Sequence, residues 1–451
     1  MKTLLGGSAL LLALASAAGA QASAPVVRGT PITPALAVET FDSAWTVVER
    51  TLWDTTVVRR VWTPARDELR PRAASARTVE ELRGVLAEMI GRLPYSHFEL
   101  IPGEVQARMA ENEGAGGSGD PGMEIRLVGE RFLVTRVDPG GPAEAAGVRM
   151  GWSLESIGRV TARERLALLA RLPGAREPRG RQLYGWRMFA PLLHGVPGAR
   201  LRLGFRDAAD RPVEKMVTLR PRGLAETFGN LPALDVDLTT RTVRLDDGTT
   251  VGVIRFNYWF PVILPALNAA VDSLRGVDGI VIDLRGNFGG LGAMAPGFAG
   301  HFLDRADTLG VMRMRANTLY FVANPRRVDT QARPTIPYAG PLAILTDALS
   351  ASTSEFFAGG LQALGRAKVF GEQTAGAALP ALARRLPTGD VLMHAVADFG
   401  GPRGTRFEGA GVTPDVAAPP TRDALLAGHD PALDAAAAWI RAARTTRAPA
   451  R

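Results

Sequence analysis

Residues 341–364 read PLAILTDALSASTSEFFAGGLQAL. An apolar run, Leu342-Ala-Ile-Leu-Thr346, ends in a turn of small residues and enters a helix whose apolar face includes Phe357, Leu361 and Leu364. A near-continuous apolar strand of this kind is covered on both faces, as in a parallel sheet. Outward from it, VGVIRF at 251–256 and GIVIDL at 279–284 read the same way. Strands and helices alternate through residues 233–445, the pattern of an α/β layer structure.

The entrance of that helix presents Ser350, Ser352 and Ser354. The first turn of a helix exposes unpaired backbone N–H groups and a partial positive charge. A serine there either caps the helix or acts as a nucleophile whose developing oxyanion meets those N–H groups. The second buried strand runs into Asp283-Leu-Arg-Gly-Asn-Phe-Gly-Gly290, where glycines let backbone N–H groups approach a ligand closely. Asp283 and Arg285 read as a structural pair beneath that turn.

Residues 35–105 form a helical region. Phe41, Trp45, Val48 and Leu52 recur at helical spacing, and Thr78 with Glu81 has the capping-box spacing for a second helix at 78–93. A Gly-rich, acidic segment at 111–122 reads as a mobile linker. Beyond it, residues 132–137 alternate like a strand. Residues 199–205 and 213–219 form a hairpin around 207–211. Within 134–160 the run GGPAEAAGVRMGWSLESIG resembles a protease-associated PDZ domain, although the usual Gly-Asp is here Gly151-Trp152. An arginine-rich insertion, residues 161–193, separates its two halves. The resemblance implies a module at 121–222 that binds extended peptides by strand addition.

Composition narrows the function classes. The chain of 451 residues is 46% hydrophobic and 22% charged, ordinary for a globular protein. Its lack of cysteine excludes disulfides, thiolate metal sites and a cysteine nucleophile. The net charge of +8 is carried by arginines scattered among acidic residues, with only Lys2, Lys215 and Lys368 as lysines, so it reads as arginine bias and not as a nucleic-acid footprint. Residues 1–24, MKTLLGGSALLLALASAAGAQASA, have the form of a secretory leader, with no later stretch long enough to span a bilayer. Export to a periplasm or the exterior follows as the expectation. No metal-ligand spacing or phosphate-binding loop stands out, and no cofactor is expected.

Four motifs now fall in order: DLRGNFGG, the strand running into SASTSE, GEQTAG at 371–376, and FEGAGVTPD at 407–415. Together they resemble the C-terminal (tail-specific) processing serine peptidases. That resemblance implies a crotonase-like catalytic core at 223–445 behind the helical region and the PDZ-like module. It makes Ser352 the nucleophile, with the N–H of Thr353 and of Gly289 or Gly290 as oxyanion hole, and polypeptides as substrates. The lysine base of the best-known branch has no counterpart, because Ala377 fills its position. Leu93-Pro-Tyr-Ser-His-Phe-Glu99 is similar to the Ser-His segment of the tricorn-type branch, which implies His97 as base, Glu408 as its orienting acid and Ser96 as a positioning neighbour. His394 is the alternative base. A carrier of peptides or small apolar ligands on the same scaffold is the competing function class.

Overall fold

A computed structural model describes residues 29–105, 119–226 and 234–447. The leader at 1–24 and residues 111–118 of the expected linker lie outside the described residues. The linker ends sooner than its composition suggests: Gly119–Asp120 is a buried strand paired with Arg220–Pro221.

The N-terminal region holds α1 (Pro34–Thr51), α2 (Thr63–Ala74) and α3 (Val79–Gly91). Phe41, Ala44 and Val48 on α1 are buried against Leu69, Leu82 and Leu86 of the other two helices. Thr78 caps α3 by accepting the Glu81 N–H at 3.2 Å. Glu81 does not complete the expected box; its carboxylate takes the Arg77 N–H at 2.7 Å, while Thr78 pairs with Pro31 in a β-bridge. After α3 the chain enters β1 (Glu99–Ile101).

The central module is an antiparallel sheet built from β2 (Met123–Val128), β3 (Arg131–Val137), β4 (Ser153–Ile157), β5 (Arg200–Arg206) and β6 (Pro212–Thr218), in that spatial order. Its short α4 (Pro142–Ala145) lies between β3 and β4. The arginine-rich insertion is itself largely helical, forming α5 (Ala162–Leu169) and α6 (Pro178–Phe189).

The core sheet runs β7 (Leu238–Arg244), β8 (Thr250–Phe256), β9 (Gly279–Asp283), then β10 (Leu342–Thr346), β11 (Lys368–Gly371) and β12 (Val416–Ala417). All neighbours are parallel except β7 against β8. Every residue of β9 and β10 is buried, as the apolar runs require. On one face lie α7 (Leu264–Ser273) and α8 (Thr353–Ala363); α9 (Pro431–Arg447) covers the other with Ala432, Ala436 and Ile440. Two further strands, β13 (Ala381–Arg385) and β14 (Val391–Ala395), pair with each other, and β14 also pairs with β1, Glu99 opposite Met393. The helical region thus reaches the core through β1. Among the described residues no helix is long and apolar enough to cross a membrane.

Phe357 of α8 is fully buried, with its ring 5.1 Å from Trp259 and 5.4 Å from Phe298. Phe357→Ala removes a large side chain from a site walled by rigid aromatics, and we expect it to lower unfolding stability in urea by about 3–5 kcal/mol.

Candidate active site

Ser352 stands between β10 and α8 with φ +54° and ψ −118°, a backbone conformation that L residues rarely adopt. Its N–H donates to the Ala377 carbonyl at 2.8 Å and to Glu355 Oε2 at 3.1 Å. Glu355 is completely buried and accepts three more hydrogen bonds: Thr374 Oγ1 at 2.6 Å, Gly376 N–H at 2.8 Å and Ala377 N–H at 3.0 Å. Burial pushes its pKa up to about 7 against the pull of these donors. The sequence reading missed Glu355. The Ser-x-x-Glu spacing from Ser352 was the signal available for it.

The neighbouring serines are spent on the scaffold. Ser350 Oγ donates to the Leu284 carbonyl at 2.8 Å and accepts the Asp347 N–H at 3.0 Å. Ser354 Oγ donates to the Asn287 carbonyl at 3.1 Å and accepts from the Trp259 indole at 3.0 Å. Asn287, also unforeseen, binds the glycine turn to the core: its Nδ2 donates to the Phe256 carbonyl and its Oδ1 accepts the Gly289 N–H at 2.9 Å. This corrects the expectation for Gly289, whose N–H is committed to a side chain. The N–H groups of Gly290 and Thr353 have no partner among the described residues. Thr353 Oγ1 donates to the Gly290 carbonyl at 2.8 Å, which fixes those two residues side by side.

His97 follows α3 and precedes β1, is buried, and has φ +62°. Glu408 does not touch it directly. Ser96 lies between them, its Oγ 2.7 Å from His97 Nδ1 and donating to Glu408 Oε2 at 2.9 Å, while the Ser96 N–H donates to Glu408 Oε1 at 2.8 Å. The Ala378 N–H gives Glu408 Oε2 a further bond at 3.0 Å. One loop, 374–378, therefore meets Ser352 through Ala377 and Glu408 through Ala378. Burial holds the His97 pKa down to about 4, so the ring is neutral at pH 7, and burial raises Glu408 above its ordinary value. With the Ser96 proton given to Glu408, Ser96 Oγ accepts Nδ1–H, leaving Nε2 as the ring's open acceptor. No hydrogen bond joins His97 to Ser352; hydrolytic sites without substrate are often loose in this respect.

His394, the alternative base, lies on β14 with its Nδ1 3.1 Å from Thr51 Oγ1, hydrogen-bonded to neither Ser352 nor Glu408. Lys368 opens β11 and lies 5.9 Å from the Trp439 ring. Asp283 and Arg285 are the structural pair expected, joined at 2.8–2.9 Å and extended by Arg255 and Asp430.

A serine in a strained turn at a helix N-terminus, beside two free N–H groups on a parallel α/β core, defines the class of a serine hydrolase. Residues 250–418 match the family model "Peptidase family S41". Carboxyl-terminal-processing peptidase 2, chloroplastic, of Arabidopsis thaliana is 26% identical over 391 residues, 83% of this chain and 67% of that protein. The C-terminal processing peptidase, chloroplastic, of Tetradesmus obliquus is 28% identical over 83% of this chain and 76% of its own length. Among solved structures, a photosystem II D1 C-terminal processing protease aligns with TM-score 0.53 and 23% identity over 84% of this chain and 92% of that one. Mature CPAF aligns with TM-score 0.60 and 15% identity over 92% and 98%. Residues 250–418 thus resemble a peptidase family S41 core, and over most of its length the chain is similar to serine-type C-terminal processing peptidases.

Glu355→Gln turns an amide N–H₂ either toward Thr374 and Gly376 or toward Ser352 and Ala377, according to which oxygen it replaces. We expect a stability loss of about 1–3 kcal/mol in urea titration, together with a lower kcat, because a buried donor loses its acceptor.

Proposed function

We propose that the protein is an exported, tail-specific serine endopeptidase that cleaves polypeptides through an acyl-enzyme on Ser352. The observation that carries this reading is the relay from Glu408 through Ser96 to His97, which gives a neutral, oriented base to a chain lacking the lysine. Ser352 Oγ attacks the scissile carbonyl and its proton passes to His97 Nε2. The new imidazolium is stabilised by Nδ1–H donating to Ser96 and, through Ser96, by the Glu408 charge. The oxyanion is met by the N–H groups of Gly290 and Thr353 at the start of α8, where the helix dipole also favours negative charge. The C–N bond breaks as His97 protonates the leaving amine; water, deprotonated by the same ring, then hydrolyses the ester and restores Ser352.

The module at 121–222 is read as PDZ-like. In support, β2 is the edge strand of its sheet, the kind of edge to which an extended polypeptide adds. Export rests on the leader at 1–24.

Cleavage of an unstructured polypeptide by the wild type, with loss in Ser352→Ala and His97→Ala, tests the reading; full activity in both variants would sink it. Labelling of Ser352 by a fluorophosphonate separates an enzyme from a carrier. The relay also sets a pH dependence. As pH falls, Glu408 protonates and no longer draws the Ser96 proton. Ser96 then donates to Nδ1, and His97 switches to the tautomer that cannot take the Ser352 proton. Activity therefore declines on the acid side through Glu408, while His97 itself stays neutral down to about pH 4. Glu408→Gln, uncharged at every pH like the protonated acid, lowers kcat throughout and removes the Glu408 limb, so its residual activity falls only toward pH 4, and Ser96→Ala lowers kcat on the order of 100-fold.

A further inference from the structure

The inserted helix α6 has two working stripes. Tyr184, Met188 and Phe189 pack into the module, where Phe189 meets Phe132 with ring centroids 4.4 Å apart. Arg179, Gln182, Leu183 and Trp186, at positions i, i+3, i+4 and i+7, share the other stripe and face the catalytic loops. Leu183 packs with Leu349, Ala351 and Ala377 around Ser352, and Trp186 lies 4.6 Å from Phe288, next to the glycine turn. Gln182 Nε2 donates to Glu372 Oε1 at 2.7 Å.

Arg179 makes the most specific contact of this stripe. Its Nη1 donates to the carbonyls of Thr374 at 3.2 Å and Ala410 at 3.1 Å, with that of Ala375 at 3.5 Å, and its Nη2 donates to the Gly409 carbonyl at 3.0 Å. One planar guanidinium thus ties together the loop that bonds Ser352 and the loop that carries Glu408. The site is shaped for it. A Cβ at Gly376 would fall 2.8 Å from Nη1 and one at Gly411 3.1 Å from it, and both glycines have φ +71°. These are the last glycine of GEQTAG and the second of FEGAG.

We propose that Arg179 is a positioning residue for hydrolysis, so that the active site is completed by a helix borne on the module outside the peptidase core. It touches no reacting atom. It sets the distance between the Ala377–Ala378 loop and Glu408, and through them the relation of Ser352 to the Ser96–His97 relay. The inference rests on the assignment of Ser352 and Glu408 above.

The test uses the full chain and three variants, Arg179→Ala, Arg179→Lys and Arg181→Ala. Arg181 lies on the same helix but pairs with Glu130 at the surface. We expect Arg179→Ala to lower kcat and the rate of fluorophosphonate labelling on the order of 100-fold, the effect of a misplacement near 1 Å, with KM unchanged. Arg179→Lys should recover part of the rate, since an ammonium can serve two of the carbonyls but not both loops in one plane. Arg181→Ala should match the wild type, and thermal unfolding followed by circular dichroism should find Arg179→Ala folded at the assay temperature. Labelling of Arg179→Ala at the wild-type rate, or a loss no larger than its unfolded fraction, would overturn the proposal. A wild type that does not label at Ser352 fails the active-site reading itself, a separate outcome.

Discussion

The site depends on one buried carboxylate. Ser352 sits in a backbone conformation that costs about 1–3 kcal/mol for a residue with a side chain, so something must hold it there. Glu355 does so from one turn inside α8. Its oxygens accept the Ser352 N–H and two N–H groups of the 374–378 loop, so the serine, the helix start and the loop share one anion. Because all four donors point at Glu355, the ionised form is the one the geometry is built for, although burial opposes it. The same loop then presents the Ala378 N–H to Glu408, so one short stretch of backbone contacts both Ser352 and the carboxylate that holds Ser96.

Bringing residues 97, 352 and 408 together requires each part of the chain to be fixed independently. The helical region is tied by β1 to β14 and by Leu379, Leu386 and Leu392, which complete its core. The module is tied by charge. Glu124 of β2 is bound by Arg255 of β8 at 2.7–2.8 Å, and Arg126 donates to Asp347 at 3.0 Å. Burial alone would raise the Glu124 pKa, but Arg255, Arg136 and Arg126 together hold it well below the usual carboxylate value. Asp347 also accepts the N–H groups of Gly286 and Leu349, so the module is anchored on the turns on either side of Ser352. Partly buried pairs of this kind contribute less to net stability than to fixing one arrangement.

The α/β core was legible because its signals are local. β9 and β10 are apolar throughout, and the turns after them are rich in small residues, so strand, turn and helix entrance could be read from adjacent letters. Ser352 and the glycine turn were read from the same adjacent letters. What escaped depends on distant pairing. Gly289 looks like an oxyanion donor until the Asn287 side chain is seen to occupy its N–H. The carboxylate of Glu408 reaches His97 only through Ser96, a relation between residues more than three hundred positions apart. Arg179 was invisible among many arginines, since nothing in its neighbourhood announces that four carbonyls from two other loops converge on it.

The missing lysine changes how the site can be charged. An ammonium must be desolvated strongly before it gives up its proton near pH 7, since its ordinary pKa lies near 10. A histidine starts at 6.5, and the burial of His97 carries it to about 4, so it is a free base across the physiological range without any neighbouring cation. The substitution leaves the loop's other duty intact, because Ala377 meets Ser352 with its backbone carbonyl and Glu355 with its N–H, neither of which needs a side chain. A small buried residue suits that position, for it also packs beneath Leu183 of the inserted helix. The loop thus serves as the strut between Ser352 and Glu408 without any side-chain function at position 377.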